Sequence, residues 1–163
     1  MLISRFATLL LFAAAGFAQT PAAARFYKLD FVVKEVEGAK VLNSRAYATT
    51  ASTDKSGGGC SIRTGNRVPT PTTADNKQFT YIEVGVNIDC GALQEVDSEL
   101  AVRLTAEVSS TLQEPPATQP VIRQNRWSST VIVPIKKPTI VFSSDDATTR
   151  RQMQVEMTAT PLK

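Results

Sequence analysis

Two segments decide the fold: Cys60-Ser-Ile-Arg-Thr-Gly-Asn-Arg-Val68 and Tyr81-Ile-Glu-Val-Gly-Val-Asn-Ile-Asp-Cys90. With the two cysteines set opposite each other, Ile62 meets Ile88, Thr64 meets Val86, Asn66 meets Val84 and Val68 meets Ile82. Strand side chains alternate with period two, so all of these share the cysteines' face of the sheet. Arg63, Arg67, Tyr81, Glu83, Asn87 and Asp89 fall on the other face. The intervening Pro69-Thr-Pro-Thr-Thr-Ala-Asp-Asn76 is read as the turn, because proline cannot donate to a ladder. The spacing therefore predicts an antiparallel hairpin clasped at its open end by a Cys60–Cys90 disulfide. These are the chain's two cysteines.

The rest of the chain repeats this texture. Tyr27, Leu29, Phe31 and Val33 alternate with Lys28, Asp30 and Lys34, a half-buried strand. Glu37-Gly-Ala-Lys40 turns it into a return strand, Val41 to Thr50. A Ser/Thr/Gly loop, Thr49 to Gly59, leads to the cysteine hairpin. Its Gly57-Gly-Gly59 lacks the Lys-Ser/Thr of a phosphate loop and reads as linker. Gly91 to Ser98 is expected to be a turn. Strands follow at Glu99–Ser109, Val121–Val133, Pro138–Ser143 and Arg150–Thr160, with a Pro115-Pro116 loop between the first two. Met153, Val155 and Met157 recur every second residue, which favours strand over helix for the last segment. A short helical turn fits at Asp146 to Arg150. The sum is an all-β chain, an antiparallel β-sandwich or curled sheet of about eight or nine strands.

The first 18 residues stand apart. One basic residue, Arg5, precedes an apolar run from Phe6 to Phe17, and Gly16-Phe-Ala18 has the small residues of a cleavage site. The organisation expected is a signal peptide at 1–18, a loose tail at 19–25 and a single β-domain at 26–163. Loss of Arg5 with the leader lowers the formal charge from +3 to +2, too weakly basic to argue for nucleic acid. No second long apolar segment follows, so no transmembrane helix is expected in the mature chain. In an exported protein, paired cysteines are expected to be bonded.

Composition also limits the chemistry. The chain has no histidine, which removes the commonest general base and metal ligand. Asp145-Asp146 does not have the spacing of a calcium loop. Glu83 and Asp89 are six residues apart along one strand, roughly 20 Å, too far for a glycosidase pair. No catalytic residue, metal or cofactor is expected. The candidate ligand-binding group is Trp127 with Arg123 and Arg126, an aromatic face with two cations.

Several segments resemble the C-terminal β-domain of bacterial secretins of type II and III secretion and type IV pilus systems. They are Ser61-Ile-Arg-Thr-Gly-Asn-Arg-Val-Pro69, Tyr81-Ile-Glu-Val-Gly-Val-Asn-Ile-Asp89 and Leu100-Ala-Val-Arg-Leu-Thr-Ala-Glu-Val-Ser-Ser110. Val131-Ile-Val-Pro134 and Pro138-Thr-Ile-Val-Phe142 follow in the family's order, and Ser143-Ser144 stands where the family closes on Gly-Gly. The resemblance spans about residues 60–145. It implies a non-enzymatic, exported secretin-like β-module in the periplasm, at the outer envelope or outside the cell. Such a module is expected to act by protein–protein association, pairing edge strands with copies of itself or with an envelope partner. The competing expectation is a small-ligand or glycan-binding sandwich.

Overall fold

The computed structural model describes residues 23–54, 58–72, 78–112, 121–147 and 149–163. The expected signal peptide and residues 19–22 of the expected tail lie outside them. Alternating apolar residues form eight strands: β1 (Phe26–Glu37), β2 (Lys40–Ser52), β3 (Cys60–Pro71), β4 (Phe79–Val96), β5 (Glu99–Leu112), β6 (Val121–Pro134), β7 (Thr139–Asp145) and β8 (Arg151–Pro161). They make two four-stranded antiparallel sheets, β2-β1-β8-β7 and β3-β4-β5-β6. The chain builds one hairpin, crosses to a four-strand meander, then returns to seat β8 beside β1.

The core lies where the two sheets face each other. Leu29 and Phe31 of β1, Val155 and Met157 of β8, Ile88 of β4, Leu100, Val102 and Leu104 of β5, and Val133 of β6 are all buried. Each such side chain stabilises the fold by ~1.5–3 kcal/mol relative to exposure. The alternation read from the sequence is therefore the packing pattern of this fold.

The central hairpin has the register expected from the sequence, with Cys60 opposite Cys90, Ile62 opposite Ile88 and Val68 opposite Ile82. Cys60 and Cys90 are disulfide-bonded, with Cα atoms 4.9 Å apart.

Three expectations are corrected. Pro69 and Pro71 do not begin a turn; they continue β3 opposite Tyr81 and Phe79. β3 is an edge strand, and prolines two residues apart place their missing N–H groups on the same side, here the outer one, so no ladder bond is lost. Residues 73–76 of the expected turn lie outside the described residues. Gly91 to Ser98 is not a turn either. A bulge between Gly91 and Gln94 carries β4 on to Val96, with Ala92 at φ 49° and the reversal left to Asp97-Ser98. The extra residue re-aims the strand and buries Leu93. Finally, Ala147, Thr149 and Arg150 form bends instead of part of a helical turn, and residue 148 lies outside the described residues. The Asp146 N–H donates to the Arg151 carbonyl at 2.8 Å, closing the β7–β8 connection.

Candidate interaction surface and inter-sheet cleft

The two ends of the sandwich differ. At one end β1 begins, β4 turns into β5 and β6 crosses to β7. There Tyr27, itself buried, donates its hydroxyl to Glu95 at 2.5 Å, and Arg25 donates to the same carboxylate at 2.6 Å. This joins the first sheet to the second. Burial and the Glu95 carboxylate push the Tyr27 hydroxyl up to about 12. The Tyr27 hydrogen bond, helped by Arg25, holds Glu95 below the ordinary carboxylate range. The Arg25 N–H also donates to Thr53 Oγ1 at 3.0 Å.

At the other end the second sheet forks. The β4–β5 ladder begins only at Val86 opposite Val108. Beyond it, β3 and β4 run on together to Pro71 and Phe79, while β5 and β6 run on to Leu112 and Val121. The fork is marked by Ser109, whose hydroxyl accepts the Gly85 N–H at 2.9 Å. Gly85 faces Gly65 at the root of the β3–β4 arm. A Cβ on Gly85 would stand 2.0 Å from the Thr64 carbonyl oxygen, so this close strand approach requires glycine.

The arm is apolar on both faces. Val68, Ile82 and Val84 lie on the disulfide's side; Pro69, Pro71, Phe79 and Tyr81 lie on the other. Tyr81 is 63% exposed and Phe79 52%. A single ion pair, Arg67 with Glu83 at 3.3 Å, crosses the second face. Two-stranded ribbons are marginal alone, and exposed apolar sheet surface of this kind marks a contact site. Pro69 and Pro71 blunt the arm's outer edge, whereas the free edges of β2 and β6 carry no proline before Pro134.

Between the sheets at this forked end lies a cleft of about 330 Å³. Inward positions that hold apolar residues elsewhere are polar here: Glu35, Asn43 and Arg45 from the first sheet, Arg123 and Asn125 from the second. Such side chains prevent a dry closure. Arg123 pairs with Asp146 at 2.7 Å across the cleft, both largely buried. Arg151 pairs with Glu35 at 3.3 Å.

The sequence-expected ligand group does not assemble. Arg123 is in the cleft. Trp127 shares its side of β6 but stacks on Phe142 with ring centroids 4.0 Å apart, in a cross-sheet contact that covers its face. Arg126, one residue out of phase, points from the opposite face and donates to Glu107 at 2.5 Å. That hydrogen bond, with one from Gln124, holds Glu107 low. Strand alternation alone separates residue 126 from 123 and 127. Arg45 and the forked arm were missed because no linear motif marks them. The signal available was apolar content on both faces of one hairpin end.

Among the described residues, no group of three or more His, Cys, Asp or Glu is placed to hold a metal ion. No described helix is long and apolar enough to cross a membrane.

No protein-family model matches the chain, and no curated protein matches it. Solved secretin structures align with it. The type II secretin GspD of enteropathogenic Escherichia coli aligns over 86% of this chain and 69% of its own, at 9% identity and TM-score 0.47. The β-barrel secretin domain of InvG from the Salmonella SPI-1 injectisome aligns over 86% of this chain and 62% of its own, at 6% identity and TM-score 0.48. A chain of the Klebsiella pneumoniae type II secretion outer membrane complex aligns over 86% of this chain and 39% of its own, at 10% identity and TM-score 0.47.

Proposed function

We propose that this protein is a non-enzymatic, exported β-module that works by protein contact in the cell envelope. The observation that carries the reading is the β3–β4 arm beyond the fork, with apolar residues on both faces and Phe79, Tyr81 and Ile82 exposed. Apolar surface of that kind is stabilised by burial against a second molecule, at ~25 cal/mol per Å² removed from water. The prolines of the outer edge favour contact through the arm's faces. The unblunted edges of β2 and β6 favour strand addition at the margins of the sandwich. The partner is a second copy of the chain or an envelope protein. The disulfide fits an oxidising compartment, in keeping with export to the periplasm or outer envelope.

Size-exclusion chromatography with light scattering tests this, together with photo-crosslinking from position 81 in intact envelopes. The expected result is an assembly larger than one chain, or one discrete crosslinked envelope protein. Either is abolished by Tyr81→Lys with Ile82→Lys while the fold persists. A strict monomer that crosslinks to nothing contradicts the proposal.

A further inference from the structure

The inter-sheet cleft has chemistry of its own, separate from the arm. Its floor is apolar: Val33 and Met153 of the first sheet face Val86 and Val108 of the second. Its volume, about 330 Å³, falls at the small end of ligand sites, which span ~300–1,000 Å³. At ~30 Å³ per water-sized group, it suits a molecule of about ten heavy atoms.

Charge decides what kind of molecule. Arg123 is matched by Asp146 and Arg151 by Glu35. Lys34, at the rim, is matched by Glu156 at 3.0 Å. Asp145 accepts from Gln152 at 2.8 Å. Arg45 lies opposite Val33 in the β1–β2 ladder, on the cleft side. Among the described residues its guanidinium has no hydrogen bond or ion pair. One guanidinium without an ion-pair partner therefore stands over an apolar floor, while the Asp145 carboxylate is held by a neutral amide. Its planar fork matches a carboxylate through two parallel N–H···O bonds. The neighbouring acids Glu35, Asp145 and Asp146 penalise a second negative charge, which disfavours phosphate dianions.

We infer that the cleft is a binding site for a small monoanionic amphiphile, a medium-chain carboxylate whose head pairs with Arg45 and whose tail lies on Val33, Val86, Val108 and Met153. Asn43 and Asn125 at the rim offer amide donors to the same head group. The site does not depend on the arm, and its occupancy is readable in the monomer or in an assembly.

Isothermal titration of the disulfide-bonded protein with octanoate is the test, with 1-octanol and acetate as probes of tail and head alone. The expected result is saturable one-to-one binding of octanoate. Octanol and acetate each bind at least about tenfold more weakly, a difference of ~1.4 kcal/mol. Arg45→Met, at an exposed position, weakens octanoate about tenfold without moving the thermal midpoint, and Arg45→Lys recovers part of the loss. Met153→Trp, which fills the floor, abolishes binding of octanoate and octanol alike. The inference is overturned if octanoate shows no saturable binding, if octanol binds as tightly, or if Arg45→Met leaves the affinity unchanged.

Discussion

One end of this sandwich is locked and the other is left open, although both are built from the same eight strands. At the locked end, inward positions are apolar, a disulfide joins β3 to β4, and the Tyr27–Glu95–Arg25 group ties sheet to sheet. At the open end, inward positions turn polar, the second sheet forks at Gly85 and Ser109, and apolar residues move to the arm's exposed faces. The difference teaches where stability and function part company. The locked end holds the fold against chain entropy, and the open end leaves apolar surface exposed, where the proposed contacts would form.

Mutations sharpen that contrast. The largest effect is expected from Phe31→Ala in the core, about 4 kcal/mol by denaturant unfolding. Removing the disulfide with Cys60→Ala and Cys90→Ala should cost ~3.5 kcal/mol, from the loop it closes. Tyr27→Phe should cost about 1 kcal/mol, the scale of one intramolecular hydrogen bond. Ile82→Ala in the arm should cost less than ~1 kcal/mol, because that side chain is already 38% exposed. Equal losses for Phe31→Ala and Ile82→Ala would erase the distinction between the two ends.

Acid and alkali probe the lock further. Tyr27 has a raised value in the folded protein, about 12 against an ordinary 10.0. Its contribution is complete below pH 10 and is lost as pH rises toward 12. The gap in stability between wild type and Tyr27→Phe should therefore close across that window. Glu95 is held low, so its contribution is present above its ordinary 4.5 and disappears as pH falls through the depressed folded value. Thermal midpoints of wild type and Glu95→Gln, followed from pH 6 down to 2, should converge at the acid end. A constant difference across either window would show that these groups do not form the lock.

Much of the locked end is legible in the sequence. Cys60 to Val68 against Ile82 to Cys90 leaves one register that pairs apolar with apolar and sulfur with sulfur, because a one-residue slip inverts every side chain. The open end is harder to read. Pro69 and Pro71 signal a turn unless the strand is already known to lie at an edge. Gly91 signals a break, yet a bulge at Ala92 preserves the strand. Neither edge position nor bulge is a property of the local sequence; both depend on which strand lies alongside. The cleft illustrates the same limit. Arg45 and Arg123 are 78 positions apart in the chain, and only the packing of the two sheets brings them to one cavity.

Amide hydrogen exchange tests the central claim most directly. The protein is compared when dilute, when concentrated a hundredfold, and when mixed with solubilised envelope. The account predicts that Gly65–Val68 and Tyr81–Val84 exchange fast in the dilute protein and become protected in one of the other two states, while Leu100–Leu104 stays protected throughout. Unchanged, rapid exchange of the arm in all three states would contradict a function carried by contact there.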